Sequence, residues 1–252
     1  AMEPIICFEH VFKSFGGQAV LQDFSLEIQP GTFLTVIGRS GCGKTTALKM
    51  VNGLTRADSG RVLVQGKDVA QADPVALRRR IGYVIQSVGL FPHMTVEKNV
   101  AYVPSIAGMD GWKGQARREK TAALLRQVGL DPALAGRFPS TLSGGQRQRV
   151  GIARALAAGP EILLMDEPFG AVDEITRAQL QEEMQRIHRE SGITILFVTH
   201  DIGEALKLGT RVLVMDQGQV QQCDTPEELV RHPATAFVEA LVEPQRRLKY
   251  YG

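Results

Sequence analysis

Phe33-Leu34-Thr35-Val36-Ile37-Gly38-Arg39-Ser40-Gly41-Cys42-Gly43-Lys44-Thr45-Thr46 joins a continuous apolar run to a glycine-rich segment that ends in Lys and Thr. The run Phe33 to Ile37 has the length and composition of a buried strand. Thr45 to Asn52, with Ala47, Leu48 and Val51 on one face, predicts a helix packed on a sheet. The loop between them fits G-x-x-x-x-G-K-[ST], and it stands between a strand and a helix, the context that this motif requires. Its glycines let the backbone curl so that successive N–H groups point inward, and the helix start adds a favourable dipole for phosphate. In such a cradle Gly38, Ser40, Gly41, Cys42, Gly43 and Thr46 line the anion, Lys44 reaches the β- and γ-phosphates, and the Thr45 hydroxyl ligates Mg2+. A glycine-rich turn that merely joins strand to helix is the competing reading.

Upstream, Ile5 to Phe8, Ala19 to Leu21 and Ser25 to Ile28 read as short strands broken by Gly16-Gly17 and Pro30-Gly31, which predicts an N-terminal antiparallel β subdomain. A strand is expected at Ile81 to Ile85. Downstream of it, from about residue 87 to 159, the pattern turns helical, with Lys113 to Val128 rich in good helix formers and a second run after Ser143. The α/β rhythm then returns as the strand Ile162 to Met165, the helix Ile175 to Glu190, and the strands Thr194 to Val198 and Arg211 to Met215. Continuous apolar strands alternating with helices predict a mostly parallel sheet covered on both faces. The expectation is one α/β domain over residues 4–242, with a helical subdomain inserted at 87–159 and a short tail at 243–252.

A chain of 252 residues with 44% hydrophobic content can bury a core of this kind. The net charge of +2 is far from the concentrated charge of a nucleic-acid binder, so no nucleic-acid partner is expected. Cys7, Cys42 and Cys223 stand too far apart to suggest a disulfide framework or a zinc site. His10, His93, His188 and His232 form no metal-ligand pattern. No apolar run approaches the ~18 residues of a membrane span, so any membrane role is expected to be peripheral, through partner proteins.

Two further stretches carry chemistry. The strand Ile162 to Met165 ends in Asp166-Glu167, and in a parallel sheet the carboxyl ends of strands meet the ligand crevice. Asp166 suits an outer-shell or direct Mg2+ contact, and Glu167 is placed to polarise a water for attack on a γ-phosphate. Alone, the pair would be read as a solvated turn or a helix cap. In Leu142-Ser143-Gly144-Gly145-Gln146, Ser143 can cap a helix while the N–H groups of Gly144 and Gly145 offer a second anion-binding start.

That second stretch is identical to the LSGGQ signature of ABC ATPases, and the remaining elements of that family follow in order over nearly the whole chain. The resemblance implies an ATPase of the P-loop α/β class in which Ser143, Gly144, Gly145 and Gln146 of one subunit face the γ-phosphate bound by the other. Two ATP molecules would then be sandwiched in a head-to-tail homodimer. Phe15 resembles the aromatic that stacks on adenine, its alternative being a core residue of the β subdomain. Gln86 resembles the Q-loop glutamine near Mg2+ and the attacking water, Asp173 the D-loop aspartate at the dimer interface, and His200 the switch histidine at the γ-phosphate. Asp173 also reads as a plain helix cap.

The sequences Ile81 to Val96 and Met165 to Arg177 resemble the quaternary-amine, or osmoprotectant, uptake ATPases. This implies import of glycine betaine, choline or carnitine through transmembrane permease subunits fed by an extracytoplasmic solute-binding protein, with the ATPase at the cytoplasmic face of the membrane. Longer members of that family carry paired CBS modules after the ATPase; residues 243–252 are expected to form no regulatory domain. An ATPase of another importer, a non-transport ABC ATPase and an idle nucleotide-binding module remain open at this point. Cys42, inside the phosphate loop, suggests inhibition by bulky thiol reagents.

Overall fold

Short strands and a glycine pair at the start of the chain give a hairpin much longer than its apolar runs. β1 (Ile6–Phe15) and β2 (Gln18–Ile28) are followed by β3 (Phe33–Gly38), α1 (Lys44–Val51), β4 (Ser59–Val64), β5 (Lys67–Asp68) and α2 (Pro74–Arg79). β6 (Ile81–Ile85) leads into α3 (Val96–Val100), α4 (Tyr102–Ile106), α5 (Gly114–Gln127) and α6 (Gly144–Leu156). β7 (Ile162–Asp166), α7 (Glu174–Ser191), β8 (Thr194–Val198), α8 (Ile202–Leu208), β9 (Arg211–Asp216), β10 (Gln219–Asp224), α9 (Pro226–Arg231) and α10 (Ala236–Tyr250) complete the order. This computed structural model describes residues 3–250, with burial described through residue 247. Contacts divide the chain into two compact units, residues 1–77 with 194–252, and residues 78–193.

In the first unit β2-β1-β4-β5 form an antiparallel sheet. Phe15 pairs with Gln18, and both residues between them, Gly16 and Gly17, have positive φ. This two-residue turn matches the twist of the strands it joins. The stretches Ala19 to Leu21 and Ser25 to Ile28, expected as separate strands, are one strand. The polar break between them is a bulge: the register of β1 and β2 shifts there, and Asp23 has φ 47°.

The same unit contains the run β10-β9-β3-β8, in which β3 is parallel to both β8 and β9 and β10 is antiparallel to β9. All five residues of β8 and the first five of β3 are buried, as expected of strands covered on both faces. Ile37, Val212 and Val214 pack with Ala205 of α8, Leu229 of α9, and Val238 and Val242 of α10. Helix α10 therefore runs through Val242, where the sequence suggests that the domain ends and a tail begins. Residues 251 and 252 of that tail lie outside the described residues.

In the second unit β6 and β7 pair in parallel, Ile81 with Ile162 through Ile85 with Asp166. Helix α6 packs closely on the loop after β6: a Cβ at Gly151 would lie 2.1 Å from Val88 Cγ1. Asn99 of α3 is fully buried, accepts a hydrogen bond from Phe91 N–H, and donates to the Phe91, Met94 and Thr95 carbonyls, which fastens the 91–95 loop to its helix. Leu180, Met184 and Ile187 form the buried stripe of α7. Among the described residues no helix is long and apolar enough to cross a membrane.

Candidate functional site

In the first unit, β3 and β8 run side by side with Val36 opposite Val198, and Thr199 N–H continues the pairing to Val36 O at 3.1 Å. The loop that leaves β3 and the residue His200 that follows β8 therefore emerge at the same carboxyl edge, where ligands bind in sheets of this class. His200 is exposed there.

The loop itself is built around two glycines that tolerate no side chain. A Cβ at Gly38 would lie 2.2 Å from the Met215 carbonyl oxygen and 2.8 Å from Cys42 Sγ. At Gly43, φ is 96°, and a Cβ would come within 2.7 Å of Val20 O and Leu21 Cδ2. Gly43 is also the N-cap of α1 and offers its helix start no side-chain acceptor. The first N–H groups of an α-helix lack partners within the helix, so this start presents donors suited to an external anion. Lys44, the first helical residue, is buried, and its Nζ donates to the Gly38 and Arg39 carbonyls of its own loop. An ammonium that satisfies itself on loop carbonyls can exchange them for phosphate oxygens at the same mouth. Thr45 and Thr46, half-buried, follow on the first turn, with Ser40 and Gly41 exposed on the rim.

Cys42 is 4% exposed, and burial pushes its thiol up from the usual range, against the lowering effect of neighbouring Lys44. The sequence suggests that bulky thiol reagents inhibit through this residue, and burial makes the thiol slow to react with them. Sequence reasoning also missed the restraint on Arg39. Its guanidinium lies 4.7 Å from the Phe237 ring centroid of α10 and 3.9 Å from the Asp216 carboxylate. Phe15 stands at the end of β1, 51% exposed, with Lys13 Nζ 5.0 Å from its ring centroid. It is an exposed aromatic, not a core residue of the β sheet.

The second unit carries the acids. Because Ile85 lies opposite Asp166, the residues that follow, Gln86 and Glu167, leave β6 and β7 at one edge. The loop after β7 approaches Gln86, since a Cβ at Gly170 would lie 3.3 Å from its amide group. Glu167 has φ 46°, a left-handed conformation that costs a non-glycine residue about 1 kcal/mol or more and that gathers at functional sites. Buried Phe169 anchors the turn, with Gly170 N–H donating to Glu167 O at 3.3 Å. Asp166 is half-buried; together with burial, the larger effect, it pushes the Tyr83 phenol up.

Helix α6 begins with a reciprocal cap. Ser143 Oγ accepts from Gln146 N–H at 3.1 Å, and Gln146 Oε1 accepts from Ser143 N–H at 2.9 Å. Gly144 is exposed and Gly145 half-buried at this start, and a Cβ at Gly145 would meet Thr176 Cγ2 at 2.6 Å. Thr176 in turn donates from its hydroxyl and its N–H to Asp173, at 2.6 and 2.9 Å, which holds that carboxyl below the usual range. Asp173 is thus the N-cap of α7, and it is joined through Thr176 to the Gly145 turn. Among the described residues no group of three His, Cys, Asp or Glu could hold a metal ion. The Thr45 hydroxyl and the Asp166 carboxylate are hard oxygen donors, the kind that Mg2+ takes in ones and twos beside substrate phosphates and water.

A family model described as "ABC transporter" matches residues 21–170. The chain is 46% identical over 242 residues to the glycine betaine/carnitine/choline transport ATP-binding protein OpuCA of Bacillus subtilis, covering 96% of this chain and 63% of that protein. It is 48% identical over 234 residues to the glycine betaine uptake system ATP-binding protein YehX of Escherichia coli, covering 93% of this chain and 75% of that one. Among solved structures, a dimeric ATP-binding cassette in a post-hydrolysis state with ADP and Pi superposes with a TM-score of 0.79 at 31% identity, covering 88% of this chain and 98% of the other. The chain thus spans less than two thirds of the length of the Bacillus relative it matches.

Proposed function

The chain belongs to the ABC transporter family, and on that premise we propose that it is the ATP-hydrolysing subunit of an importer for glycine betaine, choline, carnitine or a related quaternary amine. The observation that carries the nucleotide reading is the contrast between two glycine-rich helix starts. At α6 a side-chain box engages the Ser143 and Gln146 N–H groups, whereas the start of α1 has no side-chain cap and keeps the Lys44 ammonium beside it. The cargo reading is supported by the relatives named for betaine, carnitine and choline transport.

In this reading the N–H groups of Gly41 to Thr45 and the Lys44 ammonium bind the phosphates, and Phe15 offers its exposed face to the adenine. Thr45, Asp166 and Gln86 would be the residues that serve Mg2+. Bound there, the ion would neutralise charge on the phosphate oxygens. Glu167 accepts a proton from the attacking water, and the positive φ of its turn sets the direction in which its side chain leaves the backbone. His200 donates toward the γ-phosphate. Ser143, Gly144 and Gly145 face the nucleotide of a second copy, with Asp173 at the same interface. Permease subunits and a solute-binding protein would complete the importer, with this chain at the cytoplasmic face of the membrane.

Two measurements test this. Glu167→Gln should keep ATP affinity while turnover falls by roughly a hundredfold or more, because only the proton acceptor is lost; near-normal turnover removes Glu167 from the role. Uptake of labelled glycine betaine, choline and carnitine by the reconstituted complex should require ATP. Failure with all three overturns the cargo and leaves the ATPase standing.

A further inference from the structure

His200 is an exposed side chain bracketed by a closed ring of hydrogen bonds. Thr199, 2% exposed, donates its hydroxyl to Glu204 Oε1 at 2.7 Å and accepts from Asp201 N–H at 3.1 Å. Asp201 Oδ1 in turn accepts from Glu204 N–H at 3.0 Å, which caps α8. Thr199 is also tied by its own N–H to Val36 O of β3. Both chain neighbours of His200 are therefore held in one small network anchored on the strand beside the phosphate loop.

We propose that Thr199 and Glu204 are positioning residues for His200, a role that rests on the assignment of His200 to ATP hydrolysis. Glu204 is only 8% exposed, and a carboxylate placed so deep is unfavourable unless it is hydrogen-bonded. An apolar side chain there would fill the space beside buried Ala205 and Leu208 without that penalty. The carboxylate does what an apolar residue cannot: it fixes the Thr199 hydroxyl, and through it the Asp201 N–H. Swinging the His200 backbone then requires breaking a buried bond and leaving a donor unsatisfied. Gly203 leaves room for this arrangement, since a Cβ there would lie 3.2 Å from Asp201 Oδ1. The sequence held a partial signal, Asp201 followed three residues on by Glu204, the spacing of a helix cap. The bond to Thr199 could not be read from it.

The test uses the full chain and begins without nucleotide. Glu204→Ala should speed amide hydrogen exchange at Asp201 and Glu204 while Ile195 to Val198 keep their protection. With Mg-ATP, kcat should fall roughly ten- to a hundredfold and KM change little, as expected when a reacting group is displaced by a fraction of an ångström to an ångström. Glu204→Gln, which retains an acceptor for the Thr199 hydroxyl, should recover most of the rate. Thr199→Val keeps the side-chain shape and removes the hydroxyl, so it tests the same ring where Glu204→Ala fails to fold. Protection lost throughout β8, a rise in KM with kcat unchanged, or a wild-type kcat in both variants would each overturn the positioning role. His200→Ala is the separate control: wild-type turnover there would sink the assignment of His200 itself.

Discussion

A single methyl group separates two glycines of the phosphate loop. Gly41, at φ 76°, has nothing within 4 Å of the position a Cβ would take, whereas at Gly43 the same atom would strike Val20 O and Leu21 Cδ2 at 2.7 Å. Gly41→Ala should therefore cost only the backbone penalty, about 1 kcal/mol. Gly43→Ala adds overpacking and should cost about 2–4 kcal/mol in urea unfolding, with loss of ATP binding. Equal destabilisation by the two would show that the contacts at Gly43 do not constrain the loop. At Cys42 next door, burial raises the thiol, so less thiolate exists at neutral pH than in a free cysteine. Alkylation in the folded chain should be slow at pH 7 and accelerate as pH rises, reaching a given rate at a higher pH than in the urea-unfolded chain. Mass spectrometry against time and pH measures this, and fast labelling of folded protein at pH 7 would contradict it.

At the level of elements, helix α10 joins the outer layer of the core to the phosphate loop. Val238 and Val242 are fully buried with Ile37 and Val214, while Phe237 lies on Arg39. Val242→Ala should destabilise the first unit by about 1–3 kcal/mol, read as a shift of the urea midpoint, where a residue at the end of a loose tail would give none. The sequence hid this helix because Pro244 lies inside it, which reads as a helix stop soon after its apolar first turns. It hid β10 for another reason: Gln219 to Asp224 is a polar edge strand, nowhere fully buried, with no alternation to reveal it. By contrast Phe33 to Ile37, Ile162 to Met165 and Thr194 to Val198 were legible because strands buried on both faces are almost wholly apolar, and Ile81 to Ile85 was legible by the same composition although its last residue is exposed. The motifs at their carboxyl ends could be read for the same reason. What lay beyond reach was tertiary: the burial of Cys42, the left-handed Glu167, and the Thr199–Glu204 bond depend on neighbours that no local spacing specifies.

Taken as a whole, the molecule divides its chemistry between its units, with the phosphate loop and His200 in one and Asp166, Glu167, Gln86 and the Ser143 helix start in the other. The proposed head-to-tail dimer makes a distinctive demand on this division, because each complete site needs the loop of one copy and the α6 start of its twin. Gly144→Asp is suited to test it. A side chain at Gly144 meets nothing nearer than Arg147 Nη2 at 3.9 Å, and an acidic residue at a helix start favours the helix. The variant should fold and bind ATP through its intact loop, yet fail to hydrolyse it, since its carboxylate faces the phosphate of the partner copy. Lys44→Ala should fail for the opposite reason, having lost the phosphate-binding cation while keeping a sound α6 start. Mixed, the two inactive proteins form some heterodimers in which one site combines the intact loop of the first with the intact helix start of the second. Turnover above that of either variant alone is therefore expected. A mixture as inactive as its components, with heterodimers demonstrated by mass, would mean that each site is completed within one chain, and the head-to-tail arrangement would have to be abandoned.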